Sequence, residues 1–265
     1  MSEGVRSADA SSPQGVLDRA LGLLGSFSED EPELSAVELS ERTGLAPSTM
    51  HRLIGTLLRH GLLVRVPDHR YAVGPRLWEL GELSPLSLRL RERALPHLVR
   101  LYEATGENVH LAVLDGPDPE RSHALYVDRV TGRQSIPTIS RAGGRGPLHA
   151  TGVGRALLAG RDEEWLRRWF STPRDRETVH TVIDEAELRA EIERTRARGY
   201  ATTREQMTLG NVSVAVALPH VGGLPPIAVG LVVHLERVAG AEAERRLSAL
   251  VVQSAREIHA AIREP

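Results

Sequence analysis

The sequence predicts an α+β chain in two parts: an N-terminal winged helix-turn-helix, then a connecting helix, then a domain in which a sheet is packed by helices. Three observations lead there. Residues 16–74 hold short amphipathic helices, a glycine turn and a tight strand pair; Gly74-Pro75 punctuates them; beyond, strand-like apolar runs alternate with helical ones. A length of 265 residues with 41% apolar and 26% charged residues suits two modest domains of ordinary composition, and no apolar run is long enough for a membrane span. The absence of cysteine excludes disulfides, thiolate nucleophiles and cysteine-ligated metal sites. The opening MSEGVRSADASSPQ lacks the apolar core of a signal peptide, so residues 1–14 read as a disordered tail and the protein as cytoplasmic.

In order along the chain, VLDRALGLLGSF (16–27) places Leu17, Ala20, Leu21, Leu24 and Phe27 at helical spacing. After the polar SEDEPE loop, Ser35 and Glu38 form a capping box, and Thr43-Gly44 stops the helix they start. LAPSTMHRLIGTLLRHG follows. Pro47 suits a first helical turn, Met50, Leu53, Ile54, Leu57 and Leu58 form the apolar face, and Gly61 ends it. LLVRV and RYAV around Pro67-Asp68-His69 read as two strands and a tight turn, the wing. PRLWELGEL carries Leu77, Leu80 and Leu83 on a connecting helix that Pro85 breaks. In the second part VHLAVL, HALYVDRV, NVSVAVALP and PIAVGLVVHL are strand-like, and helices are expected at 153–159, 163–170, 184–198 and 241–263.

Charge is segregated rather than abundant. From Asp18 to Glu41 seven acidic residues face Arg19 alone, whereas from Arg42 to Arg76 six arginines face Asp68 alone. A small domain with one acidic and one basic side has the electrostatic form of a DNA-binding module, although charge runs are more often plain solvated surface. All 33 basic residues are arginine, a bias of composition rather than chemistry.

The stretch LSERTGLAPSTMHRLIGTLLRHGLLVRVPDHRYAVGPRLWELG resembles the N-terminal domain of the IclR family of bacterial transcription regulators. LYEATGENVHLAVLDG, ALYVDRVTG, SRAGGRGPLHATGVGRALLAG, TVIDEAELRAEIERTRARGYATTREQMTLGNVSVAVALP and IAVGLVVHL resemble successive segments of that family's effector domain, so the likeness runs over roughly residues 15–260. It implies a winged helix-turn-helix over 15–74, a connecting helical linker over 75–95 and a GAF-like effector-binding domain over 96–265. The expected function is a ligand-responsive regulator, repression being the preferred sense, that binds a double-stranded operator as a homodimer or dimer of dimers. No cofactor and no metal is implied.

A recognition helix reads bases from its N-terminal turns, which singles out Ser48, Thr49, His51 and above all Arg52, with Met50, Leu53, Ile54 and Leu57 left to the core. Solvated surface is the competing account of Arg52. The wing supplies Arg65, His69 and Arg70 for phosphates or a minor groove. In GRGPLHATGVGRALL, Thr151 can cap a helix while Gly152 and Gly154 let backbone N–H groups approach an anion, though two glycines before a helix are usually a packing solution. The resemblance makes Gly152 and Val153 pocket residues, with Gly146 at the loop entrance. It adds Thr203, Asn211 and Ser213, the last at a position that is often cysteine. On the final strand it adds Leu231 and Val233, where some carboxylate-sensing relatives carry serines. Loss of those hydroxyls favours an effector with an apolar body and one anionic end; sheet core is the other account of the two residues.

Motifs of catalysis are missing: there is no HExxH, GxxxxGK[ST] or GxSxG and no His pair at metal spacing. The first alternative function is a small-molecule-processing enzyme with an accessory helix-turn-helix and a hydrolytic site from His149, Thr151 and Ser213. A lone histidine is more often structural. A purely structural adaptor would leave the basic stretch unexplained.

Overall fold

A computed structural model describes residues 15–116, 118–132, 140–238 and 240–263. The chain divides into two compact units, residues 1–83 and 84–265, each with its own core.

In the first unit α1 (Val16–Leu24) is followed by β1 (Glu33–Ser35), α2 (Ala36–Thr43), α3 (Pro47–Arg59), β2 (Leu63–Val66), β3 (Arg70–Val73) and α4 (Pro75–Glu82). Both halves of the expected capping box form: the Ser35 hydroxyl accepts from Glu38 N at 3.2 Å and the Glu38 carboxylate accepts from Ser35 N at 2.7 Å. Gly44 ends α2 in the left-handed region at φ 67°, where a side chain would be strained. Helix α1 stops at Leu24, short of the Phe27 that the periodicity suggested, because Gly25 N closes the last turn onto Leu21 O and the chain leaves the axis. Leu23, Leu34, Leu39, Met50, Leu53, Ile54, Leu57, Leu63 and Tyr71 make the core. One element was not anticipated. The polar segment before Ser35 adds β1 as a third strand, antiparallel to β3, in the order β1-β3-β2.

In the second unit a π-helical turn (Leu86–Arg91) runs into α5 (Glu92–Thr105), followed by β4 (Asn108–Asp115), β5 (His123–Val130), β6 (Arg145–Gly146), α6 (Gly152–Ala159), α7 (Glu163–Phe170), α8 (Glu185–Arg198), β7 (Ala201–Arg204), β8 (Asn211–Ala217), β9 (Ile227–His234) and α9 (Gly240–Arg263). The strands form one antiparallel sheet, ordered β6-β5-β4-β9-β8-β7. Both faces are covered. On one, Val212, Val214, Val216, Val229, Leu231 and Val233 pack with α5 and α9; on the other, Ala112, Ala124, Ala201, Ala215 and Ala228 lie with α6, α7 and α8. The small residues let α6 approach closely: a side chain at Gly230 would meet Val214 O at 2.9 Å and Val153 Cγ1 at 3.2 Å.

Strand alternation corrects one expectation. Leu231 and Val233 are 0% and 1% exposed within the α5/α9 core, so they do not line a pocket; Gly230 and Val232, one residue earlier, face the other side. A shift of one residue along a strand inverts its faces, and a run that is apolar on both sides gives no mark of which parity is which.

Candidate functional site

Two surfaces carry the candidate residues, one on each unit. On α3 the apolar side is spent on the core, while Ser48, His51 and Arg52 are exposed and Thr49 is half-buried, all within the first two turns. Pro47 at the first position needs no hydrogen-bond donor and fixes the entry to that helix.

Of the six arginines in the basic stretch, three are neutralised locally. Arg42 pairs with Glu31 at 2.5 Å, Arg76 with Glu79 at 2.6 Å and Arg70 with Glu38 at 3.2 Å. Arg70 also donates to Glu33 O at 2.6 Å, so in the free chain this wing arginine ties β3 to β1 and the α2 cap. The Glu38 carboxyl is held below its usual range by the Ser35 backbone and hydroxyl, and then by Arg70. Arg52, Arg59 and Arg65 have no carboxylate at ion-pair distance among the described residues. Arg59 touches Thr56, and Arg65 lies 5.9 Å from the Tyr71 ring centre. Positive φ at Asp68 (59°) and His69 (57°) forms the tight wing turn and leaves both side chains exposed. The unpaired positive charge of the basic stretch therefore lies on α3, at Arg52 and Arg59, and on β2 of the wing, at Arg65.

On the second unit, a small cavity opens on the face of the sheet that α6 covers. Its floor is two rows across the strands. Thr203 pairs with Ser213 and Ser213 with Val232; the adjacent row runs from Gly230 to His110. Its walls are Ala150, Thr151, Gly152 and Val153 on one side and Gln206, Met207, Thr208 and Asn211 on another, with Tyr126 and Ser140 completing it.

Thr151 caps α6 by accepting from Gly154 N at 3.1 Å while donating to Pro147 O at 2.8 Å. The N–H groups of Gly152 and Val153, in the first turn, have no carbonyl one turn back within the helix. Glycine at 152 is a steric requirement: a Cβ there would lie 2.3 Å from Ser213 Oγ and 2.9 Å from Ser213 Cβ. Gly146 stands behind the wall rather than in it, where a Cβ would meet Tyr126 Oη at 3.0 Å and Thr151 Cγ2 at 3.3 Å.

The cavity is polar without formal charge. Burial, and then the Arg129 charge, lower the His110 imidazole to about 3, so it is neutral at pH 7. Its Nε2 pairs with Ser140 Oγ at 2.8 Å, and its ring meets Tyr126 edge-on at 5.3 Å. Burial pushes the Tyr126 phenol up to about 12 against a hydrogen bond with Thr151. A bulge in the β4/β5 pairing between Leu111 and Ala112 brings Arg129 opposite His110. Among the described residues no group of three His, Asp or Glu could hold a metal ion.

Sequence patterns of known families resolve what this pair of units is. The pattern described as IclR helix-turn-helix domain matches residues 16–67, and that described as Bacterial transcriptional regulator IclR C-terminal matches residues 85–260. This chain belongs to the IclR family. It is similar to the HTH-type transcriptional regulator BhcR of Paracoccus denitrificans, 33% identical over 248 residues that cover 92% of this chain and 85% of that one. It is also similar to the transcriptional repressor IclR of Escherichia coli, 29% identical over 256 residues and covering 96% and 92%. Among solved structures, an IclR homolog from Microbacterium hydrocarbonoxydans complexed with 4-hydroxybenzoate superposes with a TM-score of 0.85 at 28% identity, covering 94% of this chain and 99% of that one.

As an IclR-family chain it is a transcription regulator and not an enzyme. The geometry agrees about the hydrolytic alternative. His149 Nε2 is occupied by Asp175 O at 2.9 Å, and its ring lies among Thr172, Pro173 and Arg174, a different hollow from the one holding Ser213. Thr151, Gly152, Val153, Thr203, Asn211 and Ser213 do line one cavity. Sequence reasoning missed His110, Tyr126, Gln206 and Val232; the histidine in VHLAVL and the Q in TREQM were the available signals, and neither has a local pattern.

Proposed function

We propose that this IclR-family regulator is a repressor whose domain 15–74 binds a double-stranded operator, whose segment 75–95 links it, and whose domain 96–265 binds a small organic acid. The observation that carries the ligand reading is the cavity itself: no lining side chain among the described residues bears a charge, yet the free N–H groups of Gly152 and Val153 stand in one wall. Donors without cations favour a monoanion, and the Val153, Met207 and Val232 side chains in the lining favour an apolar body. A monoaromatic acid fits that description, and 4-hydroxybenzoate in the Microbacterium homolog supports it. Ser48, Thr49, His51, Arg52, Arg65 and His69 are assigned to DNA.

The operator-bound form is a homodimer or a dimer of dimers, because one winged helix covers too few base pairs to be selective in a genome. Trp78, Leu80 and Leu83, 64%, 46% and 69% exposed on and just after α4, supply an apolar surface for self-association. The acid acts by binding one arrangement of the assembly more tightly than the other, a coupling of about 1–3 kcal/mol in typical regulators.

The test is selection of DNA by the full-length chain from a random pool, followed by titration of the selected site with 4-hydroxybenzoate and benzoate. A palindromic consensus released by either acid is expected, with a dimer or larger species in sedimentation. A monomer on DNA, or a consensus insensitive to both acids, would defeat the respective part of this reading.

A further inference from the structure

We infer that Gln206 is a fixed hydrogen-bond donor that selects ligands presenting an acceptor oxygen, and that buried Arg155 is the residue that fixes it. The inference rests on the cavity being the acid site proposed above.

Arg155, on α6, is 0% exposed. Its Nε and Nη2 donate to His149 O, its Nη2 also donates to Gln206 Oε1 at 2.7 Å, and Glu191 lies 3.7 Å from its Nη1. A guanidinium has donors only, so the amide atom turned toward it must be oxygen. Nε2, with two N–H groups, is thereby turned the other way, and it has no partner among the described residues. The backbone of Gln206 is held as well: Thr181 Oγ donates to Gln206 O at 2.7 Å, and Thr178 Oγ to Glu205 O at 2.6 Å. With the main chain and Oε1 both committed, the amide cannot rotate to offer a carbonyl to the cavity without breaking its bond to a buried cation. Gln206 thus adds donors to a cavity that already has those of α6, and a ligand amine placed against it would meet N–H with N–H.

Benzoate and benzamide have nearly the same shape and differ in presenting O⁻ or NH2, so their affinity ratio, measured by calorimetry on the full-length chain, reports this donor. The wild-type chain is expected to prefer benzoate. Gln206→Met removes the donor and is expected to lower the benzoate-to-benzamide ratio several-fold. Gln206→Glu pairs with Arg155, leaves the melting temperature no lower, and is expected to lower the ratio by roughly 10- to 100-fold, the range of a hydrogen bond to a charged group. Arg155→Lys, which keeps the charge and loses the fork, is expected to lower it by less than Gln206→Met.

If both Gln206 variants weaken benzoate and benzamide by the same factor, Gln206 is only a wall and the inference is overturned while the acid site stands. If the wild-type chain binds neither compound at millimolar concentration, the aromatic-acid reading of the cavity falls, and the inference falls with it.

Discussion

Acidification from pH 7.5 to 5 is expected to weaken the effector domain by roughly 2 kcal/mol through His110 alone. An unfolded histidine titrates near its ordinary value of 6.5, whereas burial and the neighbouring Arg129 hold the folded one down to about 3. Between those values the unfolded chain takes up a proton that the folded chain refuses, so stability is complete above pH 6.5 and declines as the pH falls toward 3. At about 1.4 kcal/mol per pH unit, the one and a half units from 6.5 to 5 give the figure stated. Urea unfolding followed by the fluorescence of Trp165 and Trp169, both on α7, measures it across pH 5–7.5. His110→Gln supplies the comparison. That variant keeps a polar group opposite Ser140 Oγ and should lose most of the pH slope, leaving the contribution of His149, which burial also lowers. Equal slopes in the two proteins would refute the neutral, buried imidazole at the cavity floor.

Arg52→Ala should weaken operator binding without changing the melting temperature, since its side chain makes no bond among the described residues; an electrophoretic titration at several salt concentrations reads the result. Loss of a base contact would cost about 1–3 kcal/mol at one position, and loss of a phosphate contact would flatten the salt dependence for all sequences. Gly152→Ala should destabilise by about 1–3 kcal/mol through overlap with Ser213, and Ser213→Gly in the same chain should recover most of the loss in thermal melts. Leu231→Ala should cost about 2–5 kcal/mol of stability, whereas Val232→Thr should leave the melting temperature nearly unchanged and alter affinity for benzoate; the reverse pattern would overturn the assignment of faces on β9.

Local signals explain what the sequence revealed and what it hid. The capping box at Ser35 and Glu38, Pro47 opening α3 and the glycines that end α2 and α3 are written within a few residues of one another, so the helix-turn-helix was legible nearly element by element. Strand β1 was not, because its three residues lie in a polar segment and exist as a strand only by pairing with β3. In the cavity, Thr151 and Gly152 could be read from a helix start, whereas Ser213 was reached only through the resemblance to the family. The final strand misled by one residue, since IAVGLVVHL is buried on both faces and apolar at both parities. His110, Tyr126 and Gln206 come from distant strands and a loop, and an isolated polar residue announces its neighbours only when the sheet has brought them together.

The two-sided sheet separates what natural selection can change. On β8 and β9, residues of one parity pack against α5 and α9, and Asn211, Ser213, Gly230 and Val232, of the other parity, line the cavity. With the cavity as the proposed ligand site, exchange of Ser213 or Val232 is expected to change which ligand fits while the alternate column keeps the domain folded. Insertions carry less freedom, because a single added residue within either strand exchanges the two columns beyond it unless a bulge absorbs it, as between β4 and β5. Ligand specificity at the proposed site is expected to drift by point substitution at alternate positions, with strand lengths held constant.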